Sequence, residues 1–313
     1  MKHLLSIETM TTADLASVLK LAKTLKGERG SHKDHPLRHQ CWAMLFSKSS
    51  TRTRVSFEVG IRELGGDPIF LNANDIQLGR GEPICDTARV IGRMCHGAVI
   101  RTFAQSDVEE FAKCSGIPTI NALTDDEHPC QILTDIFTFE EKRGSIRGKT
   151  VCFVGDGACN VPRSWMFAAA ILGFKLRIAA PEKYQPPQAI LDRARAITEK
   201  VKSGGTIVAT AALDAASKGA DLLYTDVWVS MGKEAESASR LKDLAEYQIN
   251  NEVVKRAAKK ALVMHCLPAY RGKEIAADTF EAHAETIFDQ AENRLHVQKA
   301  ILSLLMKETG STR

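Results

Sequence analysis

The sequence predicts an α/β protein of two doubly wound domains, each with a central parallel sheet flanked by helices. Three observations predict it. Short apolar runs alternate with longer stretches of helical period, which is the pattern of repeated βαβ units. The alternation pauses at residues 143–149, where Gly144 and Gly148 interrupt a polar link, and then restarts. Finally, 313 residues with 44% hydrophobic and 26% charged content suffice for two cores of ordinary size. The first domain is expected over residues 1–143 and the second over 149–290. A C-terminal helix over 291–313 is expected to return to the first.

In the first half, an opening helix over residues 12–26 places Leu15, Val18, Leu19, Ala22 and Leu25 on one face. A strand over 41–46 leads through a polar loop to a helix from Arg52, which Gly65 and Gly66 end as a C-cap should. Strands follow over 69–71, 98–103 and 119–122, with helices near 83–95 and 108–115. A helix over 128–142 leaves this half. In the second half, strands are expected at 151–154, 175–179, 206–209, 222–227, 262–266 and 286–288, with helices between. A last helix from Asn293 carries Val297, Ala300, Ile301, Leu304 and Leu305 on one stripe.

Composition narrows the function classes. Forty-two basic and 38 acidic residues give a net charge of +4, without a basic run interleaved with aromatics, so nucleic acid is not the expected partner. No apolar stretch reaches the roughly 18 to 20 residues of a membrane span. The N-terminus lacks the apolar core of a signal peptide. The eight cysteines form no CxxC pair, so neither a zinc knuckle nor a disulfide framework is implied, and a reducing cytoplasm is expected. The His and Cys spacings imply no metal, and no cofactor is expected.

The segment FSKSSTRTRVSFE is the most informative. A strand ends at Phe46 and a helix begins within the following loop. Helix N-termini bind phosphate through unpaired N–H groups and partial positive charge. Ser49, Ser50, Thr51 and Thr53 add hydroxyls, and Arg52 adds a guanidinium that can grip a phosphate with two parallel bonds. A plain Ser/Thr cap with solvated arginines is the ordinary alternative for a lone S-T-R, and five such groups at one helix start weigh against it. The loop does not fit GxxxxGK[ST], and VGDGACN does not fit G-x-G-x-x-G because Asn160 stands at the third glycine, so nucleotide and dinucleotide binding are disfavoured.

SSTRTR followed by SFE resembles the phosphate-binding signature of the aspartate and ornithine carbamoyltransferases. GRGEPICDTARVIGRM, HPCQ, GDGACN, DVWVSMG, HCLPAYRG and ENRLHVQKAIL then match that family in order along nearly the whole chain. The resemblance implies that Ser50, Thr51, Arg52 and Thr53 hold the phosphate of carbamoyl phosphate, and that Arg101 bridges phosphate and carbonyl. It places His128 and Gln131 on the carbamoyl group, with His128 donating to the oxygen that gains charge during attack. Leu267 would offer its carbonyl to the carbamoyl NH₂, and Arg294 would help anchor the group. Gln77 matches a loop that in relatives reaches a neighbouring subunit's site.

HCLP, rather than HPLP, resembles the ornithine branch, and so does the intact DxWxSMG. Asn160 would then bind the α-carboxylate, Asp226, Ser230 and Met231 the remainder of the amino-acid head, and Cys266 would lie near the attacking amine. Arg101, His128 and Cys266 are the expected catalytic residues. One departure stands out: Cys159 replaces the first Asn of the family's usual GD-x-x-N-N. The implied reaction is carbamoyl transfer from carbamoyl phosphate to the side-chain amine of ornithine, giving citrulline and phosphate, in a cleft between domains of a cytoplasmic homotrimer. Aspartate, putrescine or an acylated ornithine as acceptor, or a non-catalytic anion-binding relative, are the competing readings.

Overall fold

The computed structural model describes residues 1–72, 81–230 and 232–309. It divides into two compact units, Met1–Phe137 with Glu292–Arg313, and Thr138–Ala291.

In the first unit, α1 (Thr12–Gly27) opens on a capping box in which Thr11 and Asp14 satisfy each other's backbone N–H. β1 (Cys41–Phe46), β2 (Asp67–Asn72), β3 (Gly97–Arg101) and β4 (Thr119–Leu123) then form a parallel sheet in the order β2-β1-β3-β4. Between them run α2 (Thr51–Glu63), α3 (Ile84–Met94) and α4 (Gln105–Ser115). From β1 the chain crosses first to one side and later to the other. The carboxyl edge between β1 and β3 is therefore a topological switch point, where open α/β sheets bind ligands. Phe46 and Arg101 lie in register there. Ala43, Leu45, Ala98, Ile100, Val108 and Phe111 are buried in one cluster.

α5 (Pro129–Arg143) carries the chain into the second unit. Its sheet comprises β5 (Thr150–Val154), β6 (Lys175–Ala179), β7 (Thr206–Thr210), β8 (Leu222–Thr225) and β9 (Leu262–His265), all parallel, in the order β7-β6-β5-β8-β9. Here the switch point falls between β5 and β8. The helices are α6 (Asn160–Leu172), α7 (Gln188–Val201), α8 (Leu213–Ser217), α9 (Ser237–Leu244), α10 (Asn251–Arg256) and α11 (Ala277–Ala282). Trp165, on α6, meets Phe174 and Tyr224 edge-on in the core. Among the described residues no helix is long and apolar enough to cross a membrane.

Two expectations need correction. Residues 286–288 form no strand; they belong to α12 (Ala284–Thr309), which begins nine residues before Asn293. The β-branched and aromatic run Thr286-Ile287-Phe288 imitates a strand. However, the buried stripe continues at helical spacing through Ile287, Gln290, Arg294 and Val297, and its polar members hide the period. The second correction concerns the cysteines. Cys85 and Cys114, 29 residues apart, are joined as a disulfide with Cα atoms 5.3 Å apart. The packing of α3 against α4 creates this pair, and no local spacing announces it.

From Glu292 onward the final helix belongs to the first unit. Leu295, Val297, Ala300, Ile301, Leu302 and Leu305 are buried, and Gly60 of α2 lets the Lys299 stem pass where a Cβ would stand 3.2 Å from its Cγ. Lys299, wholly buried, ends at Glu63, 2.5 Å away, beside His32.

Candidate active site

In the first unit the expected donor residues converge. Ser50 is the N-cap of α2, and its Oγ accepts from the Thr53 N–H at 3.2 Å. This ordinary cap fixes the backbone entry and aims the first turn out of the carboxyl edge of the sheet. Thr53 is the hub. Its buried Oγ1 accepts from Ser50 Oγ at 2.9 Å, from Arg101 Nη1 at 3.3 Å and from Arg294 Nη2 at 3.1 Å. Arg101 ends β3, Arg294 comes from α12, and Thr53 opens α2, so three elements meet on one hydroxyl.

Arg294 also donates to Gln131 Oε1 at 2.6 Å, and Gln131 in turn donates to Asp135 Oδ1 at 2.8 Å. With its amide oriented as its neighbours dictate, Gln298 accepts from Arg294 Nε and Nη2, each at 3.1 Å, and donates to Ser56. His128 lies one residue before α5 and is buried. Burial, reinforced by the guanidiniums of Arg294, Arg101 and Arg52, holds its pKa well below the ordinary histidine value. It is therefore a neutral imidazole within a field of three cations. Such a group donates an N–H to an oxygen without carrying charge itself. Thr51 is exposed and Arg52 half-buried at the mouth of α2.

The second unit gathers the acceptor residues at its own carboxyl edge. Asp226 follows β8, and Cys266 and Leu267 follow β9. The Cys266 thiol donates to Asp226 Oδ1 at 2.9 Å, and the Val227 N–H donates to the same oxygen at 2.7 Å. Burial raises the Asp226 pKa above the usual carboxylate value. The Leu267 N–H donates to His265 Nδ1 at 2.9 Å, leaving Nε2 to carry the proton toward Glu274 Oε1 at 3.2 Å. Glu274 also accepts from the Tyr270 N–H at 2.5 Å. This buried relay braces the corner at Leu267, whose φ of 59° is left-handed and whose bond to Pro268 is cis. Asp226, His265 and Cys266 bring one donor atom each within 4.8 Å of one another, a cluster that spacing along the chain does not reveal.

Asn160 stands at the first position of α6, directly after the N-cap Cys159. Cys159 holds no side-chain cap bond. Burial, with Asp156 and Asp226 nearby, raises its pKa well above the ordinary thiol value, so it serves as a neutral, compact spacer. Asp156 accepts from the Ala158 N–H at 3.0 Å and pairs with Arg240, which donates to the Trp228 carbonyl at 2.7 Å. That ties the segment carrying Trp228 and Ser230 to the loop after β5. Gln77 and Met231 lie outside the described residues.

Several participants escaped the sequence reading. Lys48, buried in the loop after β1, pairs with Asp125 and lies 4.3 Å from the Phe103 ring centre. Its place inside the SKSST segment was the available signal. Gln298 follows Arg294 by one helical turn, so an i,i+4 reading could have found it. Asp135 bears the same relation to Gln131. Arg240 reaches Asp156 across 84 positions and leaves no local trace, whereas Glu274 reaches His265 from nine residues away, through a turn that no helical or strand spacing announces.

Comparisons with known proteins agree along the whole chain. Residues 2–141 match the aspartate/ornithine carbamoyltransferase carbamoyl-P binding domain, and residues 147–305 match the Asp/Orn binding domain of the same family. The chain is 56% identical over 307 residues to an ornithine carbamoyltransferase of Akkermansia muciniphila, covering 97% of this chain and 98% of the relative. Among solved structures, an ornithine carbamoyltransferase from Pyrococcus furiosus superposes with a TM-score of 0.91 at 43% identity, covering 98% of this chain and 97% of that one. The anabolic ornithine carbamoyltransferase of Campylobacter jejuni gives 0.92 at 40% identity, covering 98% and 100%.

Proposed function

The chain belongs to the aspartate/ornithine carbamoyltransferase family, and from that premise we propose that it transfers the carbamoyl group of carbamoyl phosphate to the side-chain amine of ornithine. The products are citrulline and phosphate. The observation that carries this reading is the convergence of Arg101 and Arg294 on Thr53 at the mouth of α2, around a neutral His128.

Ser50, Thr51, Arg52 and Thr53 receive the phosphate, where backbone N–H groups, hydroxyls and a guanidinium meet a dianion. Arg101 spans phosphate and carbonyl. His128 donates to the carbonyl oxygen as the amine attacks, and the cations that lower its pKa also stabilise the charge growing on that oxygen. Gln131 and Arg294 hold the carbamoyl group, and the Leu267 carbonyl receives its NH₂. Asn160 takes the α-carboxylate of the acceptor, while Asp226, Ser230 and Met231 take its α-ammonium end. As the new C–N bond forms, the C–O bond to phosphate breaks, and one proton of the amine leaves with the phosphate.

The acceptor must arrive uncharged. An alkyl amine with a pKa of roughly 10.4 is neutral in about one molecule in 2,500 at pH 7, which costs about 4.6 kcal/mol. A full carboxylate charge beside that amine would raise the cost. The Cys266 thiol, donating to Asp226 Oδ1, screens that carboxylate, so Asp226 serves the α-ammonium and Cys266 faces the nucleophile. The family resemblance also supports a homotrimer acting in the cytoplasm, with Gln77 reaching a neighbouring subunit. The test is colorimetric detection of the ureido product formed from carbamoyl phosphate with ornithine, putrescine, N-acylated ornithine or aspartate as separate acceptors. Ornithine is expected to be used at least a hundredfold better by kcat/KM. Preference for another amine, or no turnover with any, contradicts the reading.

A further inference from the structure

We propose that Cys85, Cys114 and Glu110 form a redox-gated site for a soft divalent cation on the outer helices of the first unit. Oxidised, the two cysteines are the disulfide that ties α3 to α4. Reduced by a dithiol, they become two thiols while the dithiol becomes a disulfide. A cation that enters then displaces the two thiol protons.

The geometry carries the proposal. One ligand atom from each of Cys85, Glu110 and Cys114 lies within 4.8 Å of the other two. Glu110 and Cys114 are one helical turn apart on α4, so their side chains share a face. Cys85, at the second position of α3, closes the third side. Two thiolates on one tetrahedral ion at about 2.3 Å each stand roughly 3.8 Å apart, a separation that the two freed thiols reach by side-chain rotation from Cα atoms 5.3 Å apart. Two sulfurs and one carboxylate select zinc or cadmium over calcium or magnesium. Glu110 is exposed and both cysteines are half-buried, leaving a solvent side for entry and for a water as fourth ligand.

The helix pair does not depend on the bond for its packing. Gly92 of α3 approaches the Ser115 carbonyl so closely that a Cβ there would lie 2.0 Å from the oxygen. The scaffold of the three ligands therefore survives reduction. Neither cysteine belongs to the donor or acceptor machinery, and α3 opens directly after the GRGEP segment.

The test is titration of the full-length protein with Cd²⁺, following the ultraviolet sulfur-to-cadmium charge-transfer band. Wild type is compared, oxidised and after reduction with a phosphine, with C85S/C114S and with C114S alone. Circular dichroism and citrulline formation verify each fold. Because Asp226, His265 and Cys266 form a second cluster, the readout is the difference between proteins. Reduced wild type is expected to show one more thiolate-bound cadmium equivalent than oxidised wild type or either serine variant. Glu110→Gln is expected to weaken that equivalent about tenfold or more. Equal bands in reduced wild type and C85S/C114S, or a full band in the oxidised protein, overturn the proposal.

Discussion

Thr53 shows how one side chain can organise a site. Its Oγ1 accepts from Ser50, Arg101 and Arg294, so Thr53→Val keeps the volume but removes the shared acceptor. Bonds to charged groups contribute about 1.5–3 kcal/mol. kcat/KM for carbamoyl phosphate is therefore expected to fall roughly ten- to a hundredfold, with the melting temperature lowered as well because buried donors lose that acceptor; an unchanged kcat/KM would separate Thr53 from the donor site. The depressed pKa of His128 has a kinetic consequence as well. It stays neutral across the working range, so kcat/KM for ornithine should climb from pH 6 to 9 as the amine deprotonates. A flat profile with chemistry rate-limiting would refute the neutral-amine step. At this scale the sequence showed which residues carry chemistry, because the SSTRT and HCLP segments are local. It did not show that Arg101 and Arg294, 193 positions apart, share one hydroxyl, because such a contact exists only after β3 and α12 have docked.

Among the elements, strand and helix order was largely legible because each apolar run is bounded by glycine, proline or a polar cap. Cys41–Phe46 and Lys175–Ala179 match their expected bounds. The failure at residues 286–288 has a physical cause: a helix whose buried stripe includes Gln290, Asn293, Arg294, Gln298 and Lys299 lacks the apolar period that sequence reading relies on. Those polar residues are buried because they are paired, as Lys299 is with Glu63. The α3–α4 contact was invisible for a different reason, since Gly92 resembles a mere helix weakener until the Ser115 carbonyl is seen against it. Gly92→Ala is expected to cost about 2 kcal/mol through overpacking, measured by urea unfolding. A neutral effect would show that the two helices have room to part.

For the molecule as a whole, each unit places its switch point, and with it its functional loops, at the carboxyl edge of its own sheet. Burial that serves this arrangement also sets a pH dependence of stability. His3, His128 and His283 have lowered pKa values, with burial the largest cause in each, and so does His296. The unfolded chain, with histidines near about 6.5, takes up protons before the folded one does. This part of the stability is present above about pH 6.5 and is lost as the pH falls below it. The urea midpoint is thus expected to drop between pH 7.5 and 5.5, with a smaller drop in His128→Gln. Equal midpoints in wild type would contradict the assignment.

The central claim is that a guanidinium and hydroxyls at the start of α2 seize the donor. Citrulline production and carbamoyl phosphate binding should therefore be measured for wild type and Arg52→Gln under identical conditions. Wild type is expected to bind the donor and make citrulline, and the variant to lose about 3 kcal/mol, roughly two orders of magnitude in kcat/KM, while remaining folded. A folded variant with undiminished donor affinity and turnover would contradict the account.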